Sequence, residues 1–162
     1  PHESAANFVF NFRSLVLAKY DTIKFHYIVY DSQAHEFLEE DVFGKKPKFL
    51  GGSTSNVVGY QAALEILNRY DNAQWNKYVI GLGDAGAADG SETAAIIEKT
   101  YPQCQFMGFV YTSAGGLAMA DQGFLAAMQG LSQKLKWFGY SELQDPSQAS
   151  TIKTLRELFK EN

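Results

Sequence analysis

The chain has 162 residues, 46% hydrophobic and 20% charged, with 14 Lys+Arg against 18 Asp+Glu and a formal net charge of −4. That composition excludes a disordered chain, and the acidic balance excludes the basic footprint that nucleic acid or an anionic membrane would attract. The length suits one domain with a single core, and no apolar run reaches the roughly 18 residues of a membrane span.

In chain order, helical and extended patterns alternate. Phe8, Phe12, Leu15 and Lys19 recur at 3–4 spacing and predict a helix over residues 5–20, with Ser4 as its N-cap. Ile23 to Tyr30 (IKFHYIVY) is dense in β-branched and aromatic residues and predicts a buried strand. Ala34 to Leu38 follows a tight turn at Asp31-Ser32 and predicts an antiparallel partner, then a polar loop with Gly44 and Pro47. A helix is predicted over 56–70, a strand over 78–82, and a helix capped by Ser91 that carries Ile96 and Ile97. A strand over 106–111, a helix over 117–131 and a last strand over 136–140 follow. Ser150 is the predicted cap of a final helix with Ile152, Leu155, Leu158 and Phe159 facing inward.

Strands separated by helices imply right-handed crossovers and a mostly parallel sheet with helices on both faces. Such a sheet presents ligands at the carboxyl ends of its strands. Those ends are Asp31-Ser32, Gly83-Asp84, Thr112-Ser113 and Ser141-Glu142.

Three constellations could carry chemistry. Gly81-x-Gly83-x-x-Gly86 follows a strand and matches the dinucleotide pattern, in which backbone amides approach a pyrophosphate at a helix N-terminus. Four residues separate it from Ser91, and Asp84 puts a carboxylate where phosphates would sit. Hydrolytic chemistry has weaker support. The chain holds His2, His26, His35 and a lone Cys104 but no GxSxG elbow. A single cysteine also excludes an internal disulfide and suits a reducing cytoplasm, the expected location. His26 reads as a packed strand histidine, His35 as exposed, and Cys104 as a buried, inert thiol. The third constellation pairs Thr54 with Asp84. A hydroxyl and a carboxylate from two loops at one sheet end are hard oxygen donors of the kind Mg²⁺ takes.

Gly51-Gly52-Ser53-Thr54, Tyr60-Gln61-Ala62-Ala63-Leu64, Arg69-Tyr70, Trp75-Asn76-Lys77-Tyr78 and Gly83-Asp84 stand in this order along the chain. The series resembles the von Willebrand factor A-like domain of the bacterial YeaH/YhbH family, which shows GGT, YQxAL, RYPP…WNIY and SDGD. Phe25 to Tyr30, Glu39 to Phe43 and the terminal Leu155-Arg156-Glu157-Leu158-Phe159 extend the likeness over nearly the whole chain. The resemblance implies one three-layer, Rossmann-like α/β domain over 1–162 with a single antiparallel edge strand.

It also implies a metal-ion-dependent adhesion site, to which Thr54 and Asp84 carry over by their spacing from Tyr60 and Tyr78. Asp31, Ser32, Ser53, Ser55 and Asp89 belong to the loops around it and are expected to touch a partner. The family's first site motif, DxSxS, belongs with a strand ahead of the first helix and is expected to lie outside these residues. Ser53 is one extra residue after the glycine pair, and Asp84-Ala85-Gly86 replaces the family's Asp-Gly. The implied function is that of a non-enzymatic cytoplasmic interaction domain. It would work with a divalent cation, Mg²⁺ foremost, in a stress or sporulation accessory protein beside a PrkA-type serine kinase. A nucleotide-binding or small-molecule-binding domain built on Gly81–Gly86 is the alternative.

Overall fold

The computed structural model describes residues 2–44, 54–112, 120–145 and 147–159. Helix α1 (His2–Leu17) leads into a hairpin of β1 (Tyr27–Tyr30) and β2 (Ala34–Phe37). A short helix α2 (Glu39–Gly44) and then α3 (Asn56–Leu67) come next. Strands β3 (Tyr78–Gly83), β4 (Phe106–Thr112) and β5 (Phe138–Leu143) alternate with α4 (Gly90–Thr100) and α5 (Gln122–Lys134), and α6 (Gln148–Leu158) closes the chain. A single 3₁₀ turn at Tyr101–Gln103 separates α4 from β4.

The fold is mixed α/β of Rossmann-like type. Strands β3, β4 and β5 pair in parallel in that order, with Gly81 opposite Phe109 and Phe109 opposite Tyr140. The hairpin β1–β2 is antiparallel, with Tyr30 opposite Ala34. The predicted antiparallel strand is therefore present at the predicted place, but ladder pairing stops between β1 and β3.

Central strand β4 is buried at every position, and its side chains alternate between two cores. Met107, Phe109 and Tyr111 meet Tyr60 of α3, Ile97 of α4, and Phe124, Met128 and Leu131 of α5. Phe106 and Val110 meet Phe8 of α1 and Leu158 of α6. Helices α3, α4 and α5 thus cover one face, and α1 and α6 the other.

Several boundaries differ from the sequence expectation for local reasons. The first helix starts at His2, ahead of Ser4. The stretch read as loop after β2 begins with the helix α2, whose first turn holds Glu39, Glu40 and Asp41, the charge a helix N-terminus favours. The last strand reaches Leu143, so Ser141 and Glu142 lie within it and not at its end. Leu117 and Ser113 lie outside the described residues.

Helix α6 is capped by Ser147, whose Oγ accepts from Ser150 N at 3.1 Å. Ser150 is thus a donor inside the first turn and not the cap. The inward face of α6 is Ser150, Thr151, Thr154 and Leu158, while Ile152 and Leu155 are half-buried and Phe159 is exposed. Close approach selects small side chains there. A Cβ at Gly108 would come within 3.0 Å of Leu158 Cδ1, and one at Gly139 would collide with the Leu158 carbonyl.

His26 lies just ahead of β1, exposed and not in the core, with Nδ1 2.7 Å from Glu36 Oε1 and Nε2 2.7 Å from Tyr70 Oη. Arg69 Nη1 reaches the other Glu36 oxygen at 2.8 Å. These bonds hold the Glu36 carboxyl below its ordinary pKa, the His26 contact foremost, then Arg69. A group with a lowered folded-state pKa stabilises the fold above its unfolded value and loses that contribution as pH falls through the folded one. Wild type is therefore expected to exceed Glu36→Gln in urea-unfolding stability at pH 7. The gap should narrow as pH falls through and below the ordinary glutamate range. A gap that stays unchanged into strong acid would mean that packing, not charge, sets the difference.

Candidate functional site

The carboxyl ends of β1 and β3 and the start of α3 are tied together by one half-buried tyrosine. Tyr30 Oη donates to Asn56 Oδ1 at 3.0 Å and lies 3.3 Å from the Leu82 carbonyl. Burial drives its hydroxyl pKa far up, and the charges of Asp89 and Asp84 raise it further. Ser55 N donates to the Asp31 carbonyl at 2.7 Å. Asp31, Ser55 and Gly83 therefore meet at one end of the fold, with Thr54 and Asp84 their neighbours along the chain. Ser53 lies outside the described residues.

Each of these positions has its own local cause. Asp31 closes the hairpin: its Oδ1 accepts from Gln33 N at 3.0 Å and from Ser32 Oγ at 3.4 Å, an Asx turn. Thr54 is exposed two residues ahead of α3, and Ser55 is the N-cap position of that helix. Ser55's own side chain does not cap it. The cap comes from Asp89, whose carboxylate takes Asn56 N at 2.7 Å, Asn56 Nδ2 at 3.1 Å, Val57 N at 3.3 Å and Ser55 Oγ at 3.3 Å. An anion there meets both the unpaired amides and the positive end of the helix dipole. Asp89 also occupies the N-cap position of α4, in place of the predicted Ser91, yet makes no side-chain cap there. Its carboxylate belongs to the neighbouring helix.

Asp84 behaves differently. It is exposed, and among the described residues its Oδ1 accepts only a turn amide, Gly86 N, at 3.1 Å. The next residue, Ala85, has φ 54°, the one non-glycine with positive φ among the described residues. A left-handed alanine costs on the order of 1 kcal/mol and persists only where its surroundings impose it. Here they do: Ala85 is 1% exposed, and its carbonyl accepts Asp121 N at 2.7 Å. Asp121 is itself the cap of α5, through Phe124 N at 2.7 Å. A strained, anchored residue thus fixes the turn after Asp84, and the Gly86 amide within that turn holds the Asp84 carboxylate.

The donors this end offers are hard oxygens, matching Mg²⁺ in type. Among the described residues no group of three or more His, Cys, Asp or Glu side chains gathers as a metal cage would need. A hydroxyl and a carboxylate, the groups that Thr54 and Asp84 carry, are donor types that a largely hydrated ion takes, and two such donors make no closed site.

The glycines of Gly81–Gly86 have packing roles. A Cβ at Gly81 would lie 2.5 Å from Tyr60 Oη, and one at Gly86 3.2 Å from Asp84 Oδ1. Cys104 is half-buried and not in the core as expected, and burial still raises its thiol to about 11, away from the thiolate a nucleophile needs. A surface groove of about 590 Å³, lined by Phe10, Arg13, Leu38, Glu39, Glu40 and Phe43, lies on the α1–α2 side. Sequence reading missed Tyr30, Asn56 and Ala85. Only the excess of aromatics at a strand end hinted at Tyr30.

Residues 3–162 match the family described as Protein of unknown function (DUF444). The chain belongs to this family. UPF0229 proteins of Bacillus cereus (strain B4264) and Bacillus anthracis (strain A0248) are each 27% identical to it over 108 residues. That stretch is 65% of this chain and 27% of either relative, so the match spans about a quarter of their length. No solved structure matches the chain. The DUF444 assignment bears out the YeaH/YhbH part of the resemblance. Among the described residues of this DUF444 chain, no helix is long and apolar enough to cross a membrane.

Proposed function

We propose that this DUF444 chain is a von Willebrand A-type interaction domain, non-enzymatic and cytoplasmic. Its binding surface is the rim formed by Asp31-Ser32, Thr54-Ser55 and Asp84. The observation that carries the reading is the contrast between two aspartates in one loop. Asp89 is saturated by four donors and serves the fold, whereas Asp84 is exposed and held by the amide of a turn that its strained neighbour fixes. Strain of that kind clusters where a side chain must be aimed.

Thr54 and Asp84 would supply a hydroxyl and a carboxylate to a Mg²⁺ ion, and an acidic group of a partner protein would take one of its remaining positions. With so few protein donors, Mg²⁺ alone should bind weakly. Titration calorimetry should show no tight stoichiometric uptake without a partner. The likeness to YeaH/YhbH proteins makes a PrkA-type serine kinase the partner to try first, in a stress or sporulation setting.

The test is capture of that kinase with Mg²⁺ or with a chelator. Asp84→Ala should abolish capture and leave the unfolding curve unchanged, because an exposed carboxylate supports little of the core. Thr54→Ala should weaken capture less, since a neutral hydroxyl attracts a cation less than a carboxylate does. Undiminished, chelator-resistant capture by Asp84→Ala would place the interface elsewhere.

A further inference from the structure

The groove between α1 and α2 lies away from the rim that holds Asp31. Strand β2 runs antiparallel to β1, from Ala34 opposite Tyr30 to Phe37 opposite Tyr27. Leu38 and α2 therefore begin at the end of the hairpin opposite Asp31. Neither the two cores nor the rim uses this surface.

Its walls are apolar where a solvent-facing helix is normally polar. From Ala5 to Leu17 the only charged residue is Arg13. Phe8 and Phe12 pack inward. Phe10 stands two positions from Phe8, about 200° round the helix, so it faces away from that core and is 54% exposed. Leu17 lies seven residues further along the same stripe and is also exposed. Across the groove Leu38 is 67% exposed. A helix that is apolar on both faces is normally covered on both, and an apolar patch with a polar border marks an interaction surface.

The walls are also held in place. The Phe10 ring meets Phe43 edge-on at 5.8 Å, and Phe43 meets Tyr27 at 5.5 Å. Arg13 grips Glu39 with two bonds, Nη2 to Oε1 at 2.6 Å and Nε to Oε2 at 2.7 Å. Tyr27 Oη donates to the same carboxylate at 3.0 Å. A surface ordered before contact loses less entropy on binding.

Charge selects the occupant. Arg13 and Glu39 cancel each other. Among the described residues Glu40 has no ion-pair partner, and neither has Asp41 in the same turn. The border is therefore net negative. A second copy bound by two-fold symmetry would set the same acids against each other, which disfavours self-pairing. Phe10 and Leu17 lie about 10 Å apart along α1, the i to i+7 spacing of a helix laid alongside. We propose that the α1–α2 groove docks an amphipathic helix of a partner protein. Its Leu or Phe stripe sits on Phe10, Leu17 and Leu38, and its flanking lysines or arginines face Glu40 and Asp41. The inference stands apart from the cation reading.

The probe is a fluorescently labelled helix of about 18 residues, Leu on one face and Lys on the other, read by anisotropy in about 0.15 M salt. The same helix with Glu in place of Lys is its counterpart. Leu38→Ser should weaken binding of the Leu/Lys helix by about tenfold. It should leave the unfolding curve unchanged, because Leu38 is exposed. Glu40→Lys should weaken that binding by about fivefold and strengthen binding of the Leu/Glu helix. Glu65→Lys makes the same change of net charge on an exposed position of α3 and should bind as wild type does. An equal loss with Glu65→Lys would show that overall charge attracts the probe and would overturn the assignment. So would binding that survives Leu38→Ser, or no binding at about 1 mM. A dimer in sedimentation that Leu38→Ser dissociates would make a second copy the occupant and overturn the partner. Asp84→Ala should bind the probe as wild type does, so failure of the cation reading and failure of the groove are read separately.

Discussion

Lys77→Met should lower stability by about 3 kcal/mol in urea unfolding, the largest loss expected from any one polar side chain here. Lys77 is only 5% exposed. Its Nζ donates to the Leu67 carbonyl at 2.7 Å and to the Tyr70 carbonyl at 2.6 Å. Leu67 is the last residue of α3, and Tyr70 lies in the turn beyond it. An ammonium at a helix C-terminus meets the negative end of the dipole; at Leu67 it adds to a turn bond from Tyr70 N at 3.1 Å. Methionine preserves the apolar stem but removes both charged bonds, each worth about 1.5–3 kcal/mol. Escape from burying a charge gives part of that back. A loss under about 1 kcal/mol would show that water replaces the ammonium at both carbonyls.

The elements legible in the sequence were those with a strong internal period. Phe106 to Tyr111 is apolar throughout and forms the strand buried on both faces. Ala34 to Phe37 is short, follows a turn and forms the antiparallel edge. Capping was less legible because the partner of a helix end need not be its own neighbour. Ser55, Ser91 and Ser150 all stand where local rules place a cap, but only an inter-loop contact shows that Asp89 caps α3. The inward face of α6 failed for a similar reason. Its threonines are buried because Gly108 and Gly139, far away in sequence, bring the helix close to the sheet. Short α2 has too few residues to show a period at all.

Thr54 and Asp84 were placed at the site only by the resemblance, through the family's spacing from Tyr60 and Tyr78. Nothing in the sequence showed that Asp89 serves the fold. That role depends on which carboxylate the α3 amides capture, a contact between residues more than 30 positions apart. Ala85 was equally silent, because a left-handed alanine looks like any alanine until the Asp121 amide pins its carbonyl.

Asp89→Ala should cost about 2–3 kcal/mol of folding stability. The carboxylate satisfies the backbone amides of Asn56 and Val57 and fixes the Asn56 side chain, which in turn accepts from Tyr30. Asn56 is 2% exposed, so its amide cannot turn to solvent for a replacement. Losing a cap costs about 1 kcal/mol on average, and stranding a buried polar group adds about 1–3 kcal/mol. Asp89→Asn keeps the shape and one acceptor but loses the charge facing the helix dipole, so it should cost roughly half as much. The two aspartates should then separate by their pattern. Asp89→Ala lowers stability, and partner capture falls with the folded fraction, while Asp84→Ala removes capture at full stability. If Asp89→Ala unfolded at the same denaturant concentration as wild type, α3 would have to be capped by water alone, and the structural role given to that carboxylate would be wrong.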